Sequence, residues 1–256
     1  MFEKYKVGLV LGGGGARGIA HLGVAKAMYE LGLKPDVISG VSAGSIAGSF
    51  LAAGLDPEHV YELIKKWGFL KYSKIVVPKT GLFKLTGLAE LLQKEISQEN
   101  IEDLPIDFWI AVSNITDGKV EYFNSGSIYK LVMASSSIPV IFEPVKMNGT
   151  MYVDGGLYDN LPVEPIKDDC KRIIAVNLEP HINKQKIENL FQVAVRTFHL
   201  SVESNTRESK KACDVIIEPS ELNQYDILQI KEPDKLFNLG YRAGIEKLKD
   251  LKIPIL

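Results

Sequence analysis

The stretch LVLGGGGARGIAHLGVAKAM limits the fold most. An apolar run, Tyr5 to Leu11, ends in four consecutive glycines and leads into residues with helical spacing. Ala20, Val24, Ala27, Met28 and Leu31 recur three or four positions apart, where a strand would repeat every two. Strand, glycine loop and helix in that order open a βα unit. Val37 to Gly40 then runs directly into GVSAGSIAGSFLAAG, small and apolar as a buried helix is, so a second strand, sharp turn and helix follow.

Further along, Phe108 to Ile115 and Lys119 to Asn124 flank Asp117-Gly118, and Asn148-Gly149 separates two more strand-like runs. Both dipeptides are hairpin signals, so the middle of the sheet includes antiparallel pairs. Arg172 to Glu179 and Asp214 to Pro219 read as later strands. Between them, Ile187, Leu190, Phe191, Ala194, Phe198 and Val202 mark one face of a long helix, and Lys235 to Leu251 reads as a closing one. Strands alternating with helices predict an α/β fold, with helices on both faces of a mixed, mainly parallel sheet. No repeat, low-complexity tract or linker divides the 256 residues, so residues 1–256 are read as one domain.

A net charge of −2 gives no global attraction to nucleic acid, and no local basic stretch makes that case. The apolar run after Lys6 is too short for a signal sequence, and no run approaches a membrane span. Cys170 and Cys213 have neither metal-site spacing nor the number a disulfide framework needs. A cytoplasmic chain without metal or organic cofactor is the expectation.

Gly40-Val41-Ser42-Ala43-Gly44 fits G-x-S-x-G in the strand–turn–helix context that motif requires. The turn lifts the Ser42 hydroxyl to a helix N-terminus, where the dipole favours developing negative charge. A serine needs a base. His21 lies on the first helix, His59 in a charged stretch and His199 beside the apolar stripe of the long helix; each reads as structural or solvated. His181, in a loop just past a strand, competes as base with Asp154 of MYVDGGLYDN. Asp154 ends a strand, and a carboxylate partly desolvated in a dry cleft has its pKa raised enough to take a proton from serine.

GGGARG at 13–18, GVSAG at 40–44 and DGG at 154–156, in this order, resemble the patatin-like phospholipase family. GIAHLGV after the loop and ASSSIPVIFEPV at 134–145 extend the likeness over at least residues 7–167, with 168–256 completing the same domain. The resemblance implies a three-layer α/β/α fold and a serine lipid acyl hydrolase, acting on fatty-acyl esters through an acyl-enzyme. It implies Ser42 as nucleophile, Asp154 as base, and the amides of Gly13, Gly14 and Gly15 as oxyanion hole. Arg17, Gly18, Gly40, Gly44, Gly155 and Gly156 complete the motifs, Arg17 either orienting the loop, meeting an anionic head group or forming a helix-start salt bridge.

Two other classes compete: a non-catalytic lipid- or acyl-binding regulator that keeps the elbow as a relic, and a nucleotide-binding domain. Gly13, Gly15 and Gly18 do satisfy G-x-G-x-x-G, but the second strand ends in GVSAG where a dinucleotide fold needs an acidic residue. Residues 57–84 carry Lys65, Lys66, Lys71, Lys74, Lys79 and Lys84 among Trp67, Phe69, Tyr72 and Phe83. This is either a peripheral contact for anionic lipid or a solvated cap over the cleft.

Overall fold

The protein is described from a computed structural model, which covers residues 4–71, 85–178, 187–225 and 232–251. Eight strands among them form one sheet: β1 Tyr5–Leu11, β2 Val37–Gly40, β3 Asp107–Asn114, β4 Lys119–Phe123, β5 Val145–Met147, β6 Thr150–Asp154, β7 Cys170–Val176 and β8 Val215–Ile217. Seven α-helices accompany them: α1 Ile19–Glu30, α2 Ala43–Ala52, α3 Pro57–Lys71, α4 Thr86–Glu95, α5 Ile128–Ser135, α6 Leu190–Ser209 and α7 Pro233–Leu248. The β3-β2-β1-β7-β8 part of the sheet is parallel, while β4 and β6 pair antiparallel with β3, and β5 with β6. This is the expected mixed, mainly parallel α/β fold.

Both hairpin signals behave as read. Gly118 turns the β3–β4 connection at φ 73°, and Asn148 and Gly149 join β5 to β6 with φ 50° and 87°, the paired positive values that suit a two-residue hairpin.

Alternation along the strands feeds two cores. Val7, Leu9 and Leu11 of β1 and Ile174 and Val176 of β7 join the main cluster with Leu22, Met28, Phe50, Leu92 and Phe237 from the helices. Val10, Val37, Ile173 and Ala175 point to the other side, against Leu161, Val163 and Ile166. Helical cover is therefore unequal on the two faces. The 161–166 segment carries Pro162 and Pro165, which lack N–H donors and restrict the residues before them, so this part of the second face is covered by irregular chain. The deeper layer closes through α1 and α7, where a Cβ on Gly23 would lie 2.0 Å from the Phe237 carbonyl oxygen.

The long helix departs from its expected face. Ile187 precedes α6, and Ile187 and Leu190 are exposed, whereas Phe198 and Val202 are buried beside Ile138, Ile141 and Leu157. Burial starts about two turns into the helix because only there does it meet the 138–142 turn and Leu157.

Candidate active site

β1 and β2 pair in register, Leu11 beside Gly40, so the glycine loop and the serine turn leave the sheet side by side at the C-terminal ends of parallel strands. Ligands bind α/β sheets at that edge. Ser42 caps α2 with φ 52° and ψ −124°, a conformation that costs about 1–3 kcal/mol for a residue with a side chain. Several bonds hold it there. The Val41 amide donates to the Leu11 carbonyl at 3.1 Å. The Ser42 amide donates to Ser135 Oγ at 2.9 Å, and Ser135 Oγ donates to the Ala111 carbonyl at 2.7 Å. The turn has no room beside it: a Cβ on Gly44 would lie 2.0 Å from the Leu11 carbonyl oxygen, and one on Gly40 would lie 2.6 Å from that of Gly44.

The strand register explains how Asp154 reaches Ser42. Ile110 of β3 pairs with Gly40 and with Phe123, and Val112 pairs with Asp154 and with Glu121. Each strand offers two edges, so β4 occupies one edge of β3 while β2 and β6 share the other in succession. Their tips meet end to end, and Ser42 Oγ donates to Asp154 Oδ2 at 2.6 Å. Asp154 Oδ1 accepts the Gly156 amide at 2.8 Å. Asp154 is buried, and this desolvation pushes its carboxyl up to about 7 against the opposing pull of the Ser42 and Gly156 hydrogen bonds. The pair thus has the two properties that proton abstraction needs: contact, and a base that titrates near neutrality.

The glycine loop passes beside the same serine: a Cβ on Gly13 would lie 3.4 Å from Ser42 Cβ. Its amides are not equivalent. Gly12 donates to the Val176 carbonyl at 3.0 Å and Gly13 to the Asn160 carbonyl at 3.2 Å. No acceptor among the described residues takes the amide of Gly14 or Gly15. His21 braces the loop from behind. Its Nε2–H donates to the Gly12 carbonyl at 2.8 Å, and burial lowers its pKa to about 4, so it is a neutral support.

Arg17 is buried, and its Nε and Nη2 donate to the Tyr225 carbonyl at 2.9 and 2.5 Å. Of the roles open to it in the sequence, this geometry fits orienting the loop. Gly18 packs against Ala43, and Gly155 against the Ala111 carbonyl. His59 is exposed, and His199 is half-buried beside Phe198. His181 lies outside the described residues, as do residues 72–84 of the lysine and aromatic stretch. Lys65 of that stretch is paired with Asp234 at 2.6 Å. Among the described residues no helix is long and apolar enough to cross a membrane.

Sequence reasoning passed over Ser135, Asn160 and Asn205. Ser135 is one of three serines in ASSSIP, with nothing local to separate it from its neighbours. Asn160, a polar residue just before buried Leu161 in the strand–turn run from Asp154, offered a faint signal.

The profile of the patatin-like phospholipase family matches residues 9–167. The lysophospholipase NTE1 of Kluyveromyces lactis is 29% identical over 280 residues, covering 96% of this chain and 19% of its own length. That of Saccharomyces cerevisiae is 28% identical over 272 residues, covering 93% and 16%. The chain thus spans between about a sixth and a fifth of the length of these curated relatives. Among solved structures, VipD of Legionella pneumophila shares the fold with a TM-score of 0.55 at 18% identity, over 95% of this chain and 66% of that one. With more than half of its length matched by the family profile, the chain belongs to the patatin-like phospholipase family, a family of carboxylic ester hydrolases.

Proposed function

We propose that this protein is a serine lipid acyl hydrolase working through a Ser42–Asp154 dyad. The observation that carries the reading is the 2.6 Å hydrogen bond from Ser42 Oγ to a buried carboxylate titrating near 7. Asp154 takes the Ser42 proton as Oγ attacks the ester carbonyl. The resulting oxyanion meets the free amides of Gly14 and Gly15 and the positive end of α2, while the Gly13 amide, bound to Asn160, anchors the loop. Collapse expels the alcohol, which receives the proton from Asp154 and leaves an ester on Ser42. Asp154 then takes a proton from water, whose oxygen attacks that ester; collapse frees the fatty acid as Asp154 returns the proton to the departing Ser42 Oγ.

The relatives' name makes a lysophospholipid the first substrate to test. Residues 57–84 are the proposed region of peripheral contact with the lipid surface. Hydrolysis of a panel of phospholipids, lysophospholipids and short acyl esters, read by mass spectrometry, tests the reading. Ser42→Ala should abolish every release the wild type makes, together with labelling by a fluorophosphonate. Turnover surviving in purified Ser42→Ala refutes it.

A further inference from the structure

The turn that carries Asp154 is held by a helix outside residues 9–167. Ser201, Asn205 and Ser209 stand four residues apart on α6, which puts them in one stripe, and each bonds into the 155–161 segment. Ser201 Oγ donates to the Leu157 carbonyl at 2.7 Å. Asn205 Nδ2 donates to the Gly156 carbonyl at 2.9 Å and to that of Leu157 at 3.3 Å. Asn205 Oδ1 accepts the Asn160 amide at 2.9 Å. Ser209 Oγ donates to Asp159 Oδ1 at 3.3 Å.

Asn160 extends this link to the glycine loop. Its carbonyl receives the Gly13 amide at 3.2 Å. Its carboxamide fills the space beside Gly13 and Gly156, where added Cβ atoms would lie 2.2 and 2.6 Å from Asn160 Oδ1. Asn205 therefore grips the turn behind the carboxylate with its donor and the residue behind the loop with its acceptor. Ser and Asn weaken a helix interior by competing for its backbone. Here all three side chains are bonded outward, to a neighbouring segment.

We infer that Asn205 is a positioning residue that fixes the Asp154 turn and the glycine loop relative to each other. This rests on the dyad reading. Without the Asn205 donor, the turn loses two of its ties to α6, and both hydrogen bonds to the Asp154 carboxylate lengthen. Since these bonds favour the carboxylate, the acid limb of the rate profile moves to higher pH in the variant.

The experiment compares wild type, Asn205→Ala, Asn205→Asp, Ser201→Ala and Ser209→Ala on a p-nitrophenyl acyl ester, with exposed Ser204→Ala as control. Melting temperature and circular dichroism accompany each variant. Asn205→Ala should lower kcat about 10- to 100-fold with KM within about twofold, the mark of lost positioning rather than lost binding. Asn205→Asp keeps the acceptor for Asn160 but not the donor, and should share that loss. Ser201→Ala, which removes one bond, should lose about 3- to 10-fold. The same variants should label more slowly with a saturating fluorophosphonate.

Folded Asn205→Ala with wild-type kcat and an unmoved acid limb overturns the inference, even with a lower melting temperature. If Asn205→Ala does not fold, wild-type kcat in folded Asn205→Asp and Ser201→Ala overturns it. Wild-type turnover that survives Ser42→Ala refutes the dyad instead, so the two failures are distinct.

Discussion

Replacing Asp154 by Asn should abolish turnover and stabilise the fold, with the second effect growing as pH rises. The buried carboxyl titrates at about 7 in the native protein and, in the unfolded chain, at its ordinary 3.8. Between those values unfolding releases a proton, so the native state loses stability as pH climbs from about 4 to about 7. A span of about 3 pH units at 1.36 kcal/mol each gives roughly 4 kcal/mol. Above pH 7 both states are ionised and the loss levels off. Asn has nearly the same shape and no charge, so this slope vanishes in the variant, while all other groups titrate alike in both proteins. Urea unfolding at pH 4.5, 5.5, 6.5 and 8 measures the difference. The stability gap should be small at the lowest pH and about 2–4 kcal/mol in favour of Asn at the highest. A gap constant within about 0.5 kcal/mol across this range would show that folding does not raise the Asp154 pKa and would remove the argument for it as a base.

The remaining expectations concern rate and framework. For the wild type, kcat/KM should fall about tenfold per pH unit below an acid limb near 7, where Asp154 becomes protonated; a limb near 4 refutes the assignment. Gly44→Ala would bring a Cβ to 2.0 Å from the Leu11 carbonyl oxygen, and should cost more than about 3 kcal/mol or prevent folding, as read by urea unfolding. Arg17→Ala leaves the Tyr225 carbonyl without its two donors and should lower the melting temperature and kcat together. Arg17→Lys, which keeps the charge but not the fork, should recover only part of either.

Much of this architecture is local and therefore legible in the chain. The glycine loop between β1 and α1, the elbow between β2 and α2, and the two hairpins are each fixed by residues within a few positions of one another. Apolar runs placed β1 and β7, whose alternate residues enter two different cores, because such a run shows that a segment is suited to burial. The N-terminal turns of α6 misled for the same reason: an apolar stripe shows that a face is suited to burial, not that a neighbour reaches it.

Ser42 and Asp154 could each be named from the motif around it, but no local rule joins residues 112 positions apart. That contact depends on β2 and β6 dividing one edge of β3, and it is burial at this junction that lifts the carboxyl. The sequence by itself determined the chemical groups and the turns that present them, because both are properties of short segments. Only the tertiary structure decided which loop amides remain free, which face of α6 is covered, and that Asn160 and Asn205 stand behind the site. Each of those depends on which distant segment supplies the hydrogen-bond partner.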